Sequence, residues 1–79
     1  MIVETSLAGY VMVFEKSLTG YCAYVPDLPG CIATGRTLAQ TQKLMREAIT
    51  LHLKGMRKEW RRIPRPTSLA ELRRKGLVR

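Results

Sequence analysis

The sequence predicts a small α+β domain in which a three-stranded antiparallel sheet is covered by one long helix and followed by a short C-terminal helix. Short β-branched and aromatic runs separated by turn residues occupy the first 35 positions, whereas apolar residues recur at helical spacing from 38 to 58. The 79 residues suffice for one compact domain, and the 46% hydrophobic content is typical of a globular chain. We therefore expect one α+β domain over 1–67 and a basic helical tail over 68–79.

The three predicted strands cover residues 10–14, 21–25 and 31–34, with residues 1–9 treated as an extension of the first. Residues 16–20 supply a short turn that ends in Gly20, so the first two strands should form an antiparallel hairpin. Two prolines and a glycine in residues 26–30 cannot continue a ladder of backbone hydrogen bonds. The third strand therefore follows a rigid crossing.

An amphipathic helix is predicted from about 38 to 58. Thr37 is a suitable N-cap, and Gln40 completes a capping box three residues later. The residues on the predicted buried stripe are Leu38, Thr41, Met45, Ala48, Ile49, His52, Leu53 and Met56. After an extended segment at Pro64 and Pro66, residues 68–71 form a second capping box that begins the short C-terminal helix.

The net charge of +8 is concentrated in the second half of the chain. Residues 1–35 sum to −2 and residues 36–79 to +10. A positive field of this kind favours an acidic partner, nucleic acid or a protein patch, although a solvated helix face would carry the same charges. No apolar run reaches the roughly 20 residues of a membrane span, and no signal peptide is apparent, so we expect a cytoplasmic protein without a membrane partner.

Four blocks in the chain carry a resemblance to a known family. They are residues 20–31 (GYCAYVPDLPGC), 35–38 (GRTL), 47–56 (EAITLHLKGM) and 63–66 (IPRP). In this order they resemble the HicB family of antitoxins from toxin–antitoxin systems, over roughly residues 10–67. The resemblance implies a partly degenerate ribonuclease-H-like β-β-β-α-β domain that neutralises a HicA messenger-RNA-cleaving toxin by covering its active face. It also implies dimers or larger assemblies.

The resemblance directs attention to the sheet and the turn after the second strand. The predicted partner-binding residues are Tyr24, Pro26, Asp27, Leu28, Pro29 and Gly30. Asp27 has a second interpretation, in which its carboxylate accepts hydrogen bonds from nearby backbone amides. Family members often add a C-terminal DNA-binding domain, for which 79 residues leave no room. HicA toxins are themselves typically basic, so a toxin should bind the less basic N-terminal sheet face.

The alternative function is a stand-alone nucleic-acid-binding protein that uses its basic C-terminal half. The predicted nucleic-acid-binding residues are Lys54, Arg57, Lys58, Arg61, Arg62 and Arg65. Trp60 lies within this run, where it would contact a partner or fold back as a lid on the core.

Catalysis and cofactor binding are not expected. The six carboxylates show no pairing of the kind that a ribonuclease-H reaction needs to hold metal ions. Cys22 and Cys31 are expected to be free, buried thiols, although a disulfide is possible if the strands bring them together. With a single histidine they are not expected to supply a zinc site. His52 on the apolar stripe is expected in the core or at its boundary. The sequence therefore predicts a binding protein and not an enzyme.

Overall fold

A computed structural model describes residues 1–78 and contains one antiparallel sheet and two helices. The elements are β1 (Ile2–Thr5), β2 (Val11–Ser17), β3 (Gly20–Tyr24), β4 (Ile32–Gly35), α1 (Leu38–Lys58) and α2 (Leu69–Arg74). Each strand pairs with the next along the chain, in the order β1-β2-β3-β4. The predicted α+β class, antiparallel sheet and long helix are confirmed. The ribonuclease-H-like relationship stays a prediction.

The predicted strand count was wrong, because the sheet has four strands. Residues 2–5 do not extend the next strand; they turn back and pair with it, with Val3 opposite Val13. Ser6 builds the turn: its side-chain oxygen accepts from the Tyr10 N–H at 3.0 Å, and its carbonyl accepts from the Gly9 N–H at 2.9 Å. Gly9 has φ +90°, a conformation that other residues rarely adopt, so the reversal depends on a glycine here.

The β2–β3 hairpin is confirmed and is tighter than predicted. Ser17 pairs with Gly20, which leaves only Leu18 and Thr19 as the connection. A Cβ atom on Gly20 would lie 2.1 Å from the carbonyl oxygen of Gly35 on the neighbouring strand. Gly20 is therefore needed for the close approach of β4 to β3.

The predicted bounds of α1 are confirmed at both ends. The Thr37 side chain accepts from the Gln40 N–H at 3.1 Å, as an N-cap should. The Gln40 side chain instead accepts from the Arg36 N–H at 2.8 Å, one residue before the N–H that a regular capping box satisfies. A Cβ on Gly35 would lie 2.6 Å from the Thr41 hydroxyl, so this glycine lets β4 run directly into the helix.

The sheet is covered on both faces, and each face has its own apolar cluster. The α1 face buries Tyr10, Met12, Phe14, Ala23, Val25, Leu28, Cys31, Met45, Ile49, Leu53 and Met56. The opposite face buries Val11, Val13, Leu72 and Val78, with Val3, Tyr24 and Leu69 packed against them. Because alternate residues of a strand point to opposite faces, β2 contributes to both clusters. The short helix α2 therefore packs on its own sheet.

Candidate partner-binding surfaces

The turn between β3 and β4 is a compact folded loop. The Leu28 N–H donates to the Val25 carbonyl at 3.1 Å, and the Cys31 N–H donates to the Leu28 carbonyl at 3.0 Å. These bonds direct the Leu28 side chain into the core, where it is 1% exposed. Pro29 and Gly30 form the exposed tip of the turn. A partner that approaches this turn would therefore contact its tip.

Asp27 is held by a segment far away in sequence. Its carboxylate accepts the Thr67 N–H at 2.6 Å and the Thr67 hydroxyl at 2.8 Å. The Asp27 carboxylate therefore accepts a hydrogen bond from a backbone amide, as one interpretation predicted. The amide belongs to Thr67, however, and not to a residue nearby in the sequence. These bonds fasten the segment between α1 and α2 to the β3–β4 turn.

Tyr24 and Pro26 complete the predicted partner-binding set, and both are half-buried. Tyr24 faces the α2 side of the sheet and packs against that cluster, while Ala23 faces α1. The six residues thus lie together around the turn, and their role in partner binding stays a prediction.

A shallow apolar groove lies where the β4 edge of the sheet meets α1. Of the described residues, those that line it are Ile32, Ala33, Thr34, Leu44, Glu47, Ala48 and Leu51. Ile32 is 63% exposed, Leu51 is 68% exposed and Leu44 is 36% exposed. The β4–α1 groove, as we name it, contains one acidic and no basic residue among these seven.

Sequence reasoning missed the β4–α1 groove. Leu44 and Leu51 are seven residues apart and therefore share one side of the helix, next to Ala48. Their spacing was a usable signal, because both lie beside the predicted stripe. The fact that β4 is an edge strand, which leaves this side uncovered, depends on the sheet order.

The six predicted nucleic-acid-binding residues are all exposed. They begin in the last turns of α1 and continue into the segment that follows it. Trp60 lies among them and is 94% exposed, so it is not a lid on the core. Glu59 moderates the positive charge, and its carboxylate lies 3.7 Å from the Arg61 guanidinium.

The remaining polar groups show no arrangement typical of a reactive centre. Cys31 is buried, and burial raises the pKa of its thiol, which disfavours the nucleophilic thiolate. Cys22 is also a free thiol but is exposed, so the prediction of a buried thiol was wrong at this position. Within residues 1–78, no three His, Cys, Asp or Glu side chains gather closely enough to hold a metal ion. In the same range, neither helix has an apolar stretch that could cross a bilayer.

The chain is a small α+β domain with an exposed apolar groove at a sheet edge and exposed basic residues at the end of its long helix. The model of the HicB-like antitoxin family of bacterial toxin–antitoxin systems matches residues 10–76. The chain belongs to this family, as the sequence motifs predicted. Membership in an antitoxin family favours a non-catalytic regulatory protein.

Curated relatives agree with this assignment. An uncharacterised 14.9 kDa protein from the rep-hol intergenic region of Haemophilus phage HP1 is 34% identical over 62 residues, which are 78% of this chain and 47% of the relative. A UPF0150 protein of Helicobacter pylori is 42% identical over 41 residues, which are 52% of this chain and 57% of that protein. A UPF0150 protein of Thermoplasma acidophilum is 33% identical over 57 residues, 71% of this chain and 83% of that protein. The chain thus spans about half the length of the first two.

A solved structure shares the fold. One chain of a HicA3 and HicB3 toxin–antitoxin complex superimposes with a TM-score of 0.66 and 27% sequence identity, covering 85% of this chain and 86% of that chain. This similarity supports the α+β fold and the family assignment.

Proposed function

We propose that this chain is an antitoxin that neutralises a HicA-type messenger-RNA-cleaving toxin in the cytoplasm by direct binding, without catalysis. The observation that carries the proposal is the β4–α1 groove, which exposes apolar side chains beside an edge strand in a chain of the HicB-like family. An edge strand offers backbone hydrogen bonds, and exposed apolar side chains beside it supply the area that a stable contact buries.

The charge distribution favours this groove over the rest of the surface. A basic toxin is repelled by the exposed arginines and lysines at the end of α1. The lining of the β4–α1 groove carries Glu47 as its one charged side chain. Residues 29 and 30 are the exposed tip of the predicted partner-binding turn, and only Cys31 separates them from β4. A toxin in the groove would therefore also contact the tip of that turn.

The experiment mixes the chain with the product of an adjacent small gene and measures messenger-RNA cleavage by that product, the candidate toxin. We expect the wild-type chain to inhibit cleavage and to co-elute with the toxin. Leu44→Lys combined with Leu51→Lys places two cations on the α1 side of the groove and should abolish both inhibition and co-elution. The matched control is Leu18→Lys in the β2–β3 turn, where the leucine is 106% exposed. Unchanged inhibition by the double variant would contradict the assignment of this surface, and no inhibition by the wild type would contradict the antitoxin role.

A second copy of the chain is the competing occupant of the groove. Small domains often gain stability by association, and a two-fold pairing of β4 edges would bury the same apolar residues. Light scattering after size exclusion measures the mass of the wild type and of the double variant. A dimer that the double variant disrupts, combined with full toxin inhibition by that variant, would assign the groove to self-association.

We also propose nucleic-acid binding as a second function. The supporting observation is that all six basic residues of the predicted site are exposed around an exposed Trp60. Affinity for nucleic acid should fall steeply with salt, because phosphate contacts release counterions. Replacing Arg61, Arg62 and Arg65 by alanine should weaken binding without unfolding the domain.

A further inference from the structure

Trp60 occupies a backbone position that normally requires glycine. The α1 helix ends with two crossed hydrogen bonds, from the Trp60 N–H to the Arg57 carbonyl at 3.2 Å and from the Arg61 N–H to the Met56 carbonyl at 2.8 Å. This is the Schellman arrangement, in which the residue after the C-cap adopts a left-handed conformation. Trp60 has φ +59°, the one positive φ of a non-glycine residue among the described residues. A bulky side chain there is strained.

Burial of the Trp60 side chain does not offset this backbone strain. Its side chain is 94% exposed, so the indole surface stays in water. Both the strain and the exposed apolar area disfavour tryptophan for folding, whereas glycine would satisfy the same helix end. The indole at this position is therefore best explained by a partner that covers it.

The surroundings of Trp60 identify the chemistry of that partner. Between residues 54 and 65 the chain carries six basic side chains and one acidic side chain, Glu59. Arg57 and Lys58 lie in the last helical turn, and Arg61 and Arg62 follow the indole directly. Cations on both sides of an exposed aromatic ring suit a chain of phosphates from which a base can stack on the ring. In a duplex the bases are already stacked, so only a single strand offers a free base.

We propose that Trp60 is a stacking platform for one base of a single-stranded nucleic acid, with Arg57, Arg61 and Arg62 pairing with the flanking phosphates. This assignment rests on the second proposed function and names its ligand. It places the nucleic-acid contact at the C-terminal end of α1, away from the β4–α1 groove residues. The two sites could therefore be tested separately.

The test uses the intrinsic fluorescence of the only tryptophan in the chain. Labelled oligouridine and oligothymidine single strands, and a duplex of equal length, are titrated at low salt against the wild-type chain. We expect quenching of the indole by either single strand and a preference for single strands over the duplex. Trp60→Gly should weaken single-strand binding by roughly 5- to 100-fold, the range that loss of one stacked base produces. The control, Leu18→Ala, removes an equally exposed apolar side chain elsewhere and should bind as wild type.

Each alternative has its own signature. Wild-type affinity of Trp60→Gly, combined with salt-dependent binding that the triple arginine variant loses, would overturn stacking and leave the second function intact. Equal affinity for the duplex would overturn the choice of a single strand. No retention of any nucleic acid at low salt would remove both proposals. If the purified toxin shields the Trp60 indole from solvent, and oligonucleotides do not quench its fluorescence, the indole would be assigned to a protein partner.

Discussion

Asp27 and Thr67 are joined by two hydrogen bonds, at 2.6 Å to the Thr67 backbone N–H and at 2.8 Å to its hydroxyl. The nearby Tyr10 hydroxyl donates to the Pro64 carbonyl. These three bonds fasten the segment that leaves α1 on one face of the sheet and enters α2 on the other. Asp27 therefore helps to determine where α2 packs, in addition to any contact with a partner.

Asp27→Ala should lower the free energy of unfolding by about 2 kcal/mol, because two hydrogen bonds to an ionised acceptor are lost. Urea denaturation measures the change. Pro29→Ala, at the exposed tip of the same turn, should have little effect. A double-mutant cycle with Thr67→Ala should show positive coupling between the two positions, and strictly additive losses would contradict the pairing.

Tyr10→Phe should lower the free energy of unfolding by about 1 kcal/mol, because the carbonyl of the half-buried Pro64 loses its donor. The same hydroxyl predicts a pH dependence. Burial first, and then the nearby Asp27 charge, raise the pKa of Tyr10 above its ordinary 10.0, although Arg57 opposes this shift. Because this pKa is raised in the folded state, the contribution of the Tyr10 hydroxyl to the free energy of unfolding is fully present below about pH 10. It is lost as the pH rises through the folded pKa.

The check on this sign is the difference between wild type and Tyr10→Phe in alkaline buffers. The stability advantage of the wild type should shrink above about pH 10, because only the wild type has a hydroxyl at position 10, and that hydroxyl ionises more readily in the unfolded chain. A difference that stays constant with pH would show that the Tyr10 hydroxyl is not buried in its neutral form.

Leu72→Ala should lower the free energy of unfolding by about 2 to 3 kcal/mol, since Leu72 is 1% exposed at the centre of the smaller apolar cluster. Hydrogen exchange should show α2 amides losing protection before those of α1, because α2 has few other apolar contacts. Leu77→Ala removes the same side chain where it is 54% exposed and is the matched control. Equal losses from both variants would indicate that α2 does not pack on the sheet.

Trp60→Gly should raise the free energy of unfolding by up to about 1 kcal/mol, because glycine adopts φ +59° without strain. Trp60→Ala removes the indole but keeps a Cβ, so its stability should stay close to that of the wild type. Thermal unfolding of the wild type, Trp60→Gly and Trp60→Ala gives the order of their stabilities. A loss of stability in Trp60→Gly would mean that the indole packs on the fold.

Residues close together in sequence determined α1 and the hairpin. Thr37 provides the cap, the buried stripe repeats at helical spacing, and the two residues between Ser17 and Gly20 allow only a hairpin. These signals act within a few residues, and so do the motifs that indicated the HicB-like family. These local signals could therefore be recognised in the sequence without any knowledge of the fold.

Tertiary structure alone decided the remaining features. Residues 2–5 form a strand of their own because they pair with β2, and no alternation in the sequence marked them. The Asp27–Thr67 pair and the exposure of Leu51 depend on segments that are distant in sequence. The physical reason is that capping and periodicity are local, whereas burial and edge position depend on which distant segments pack together.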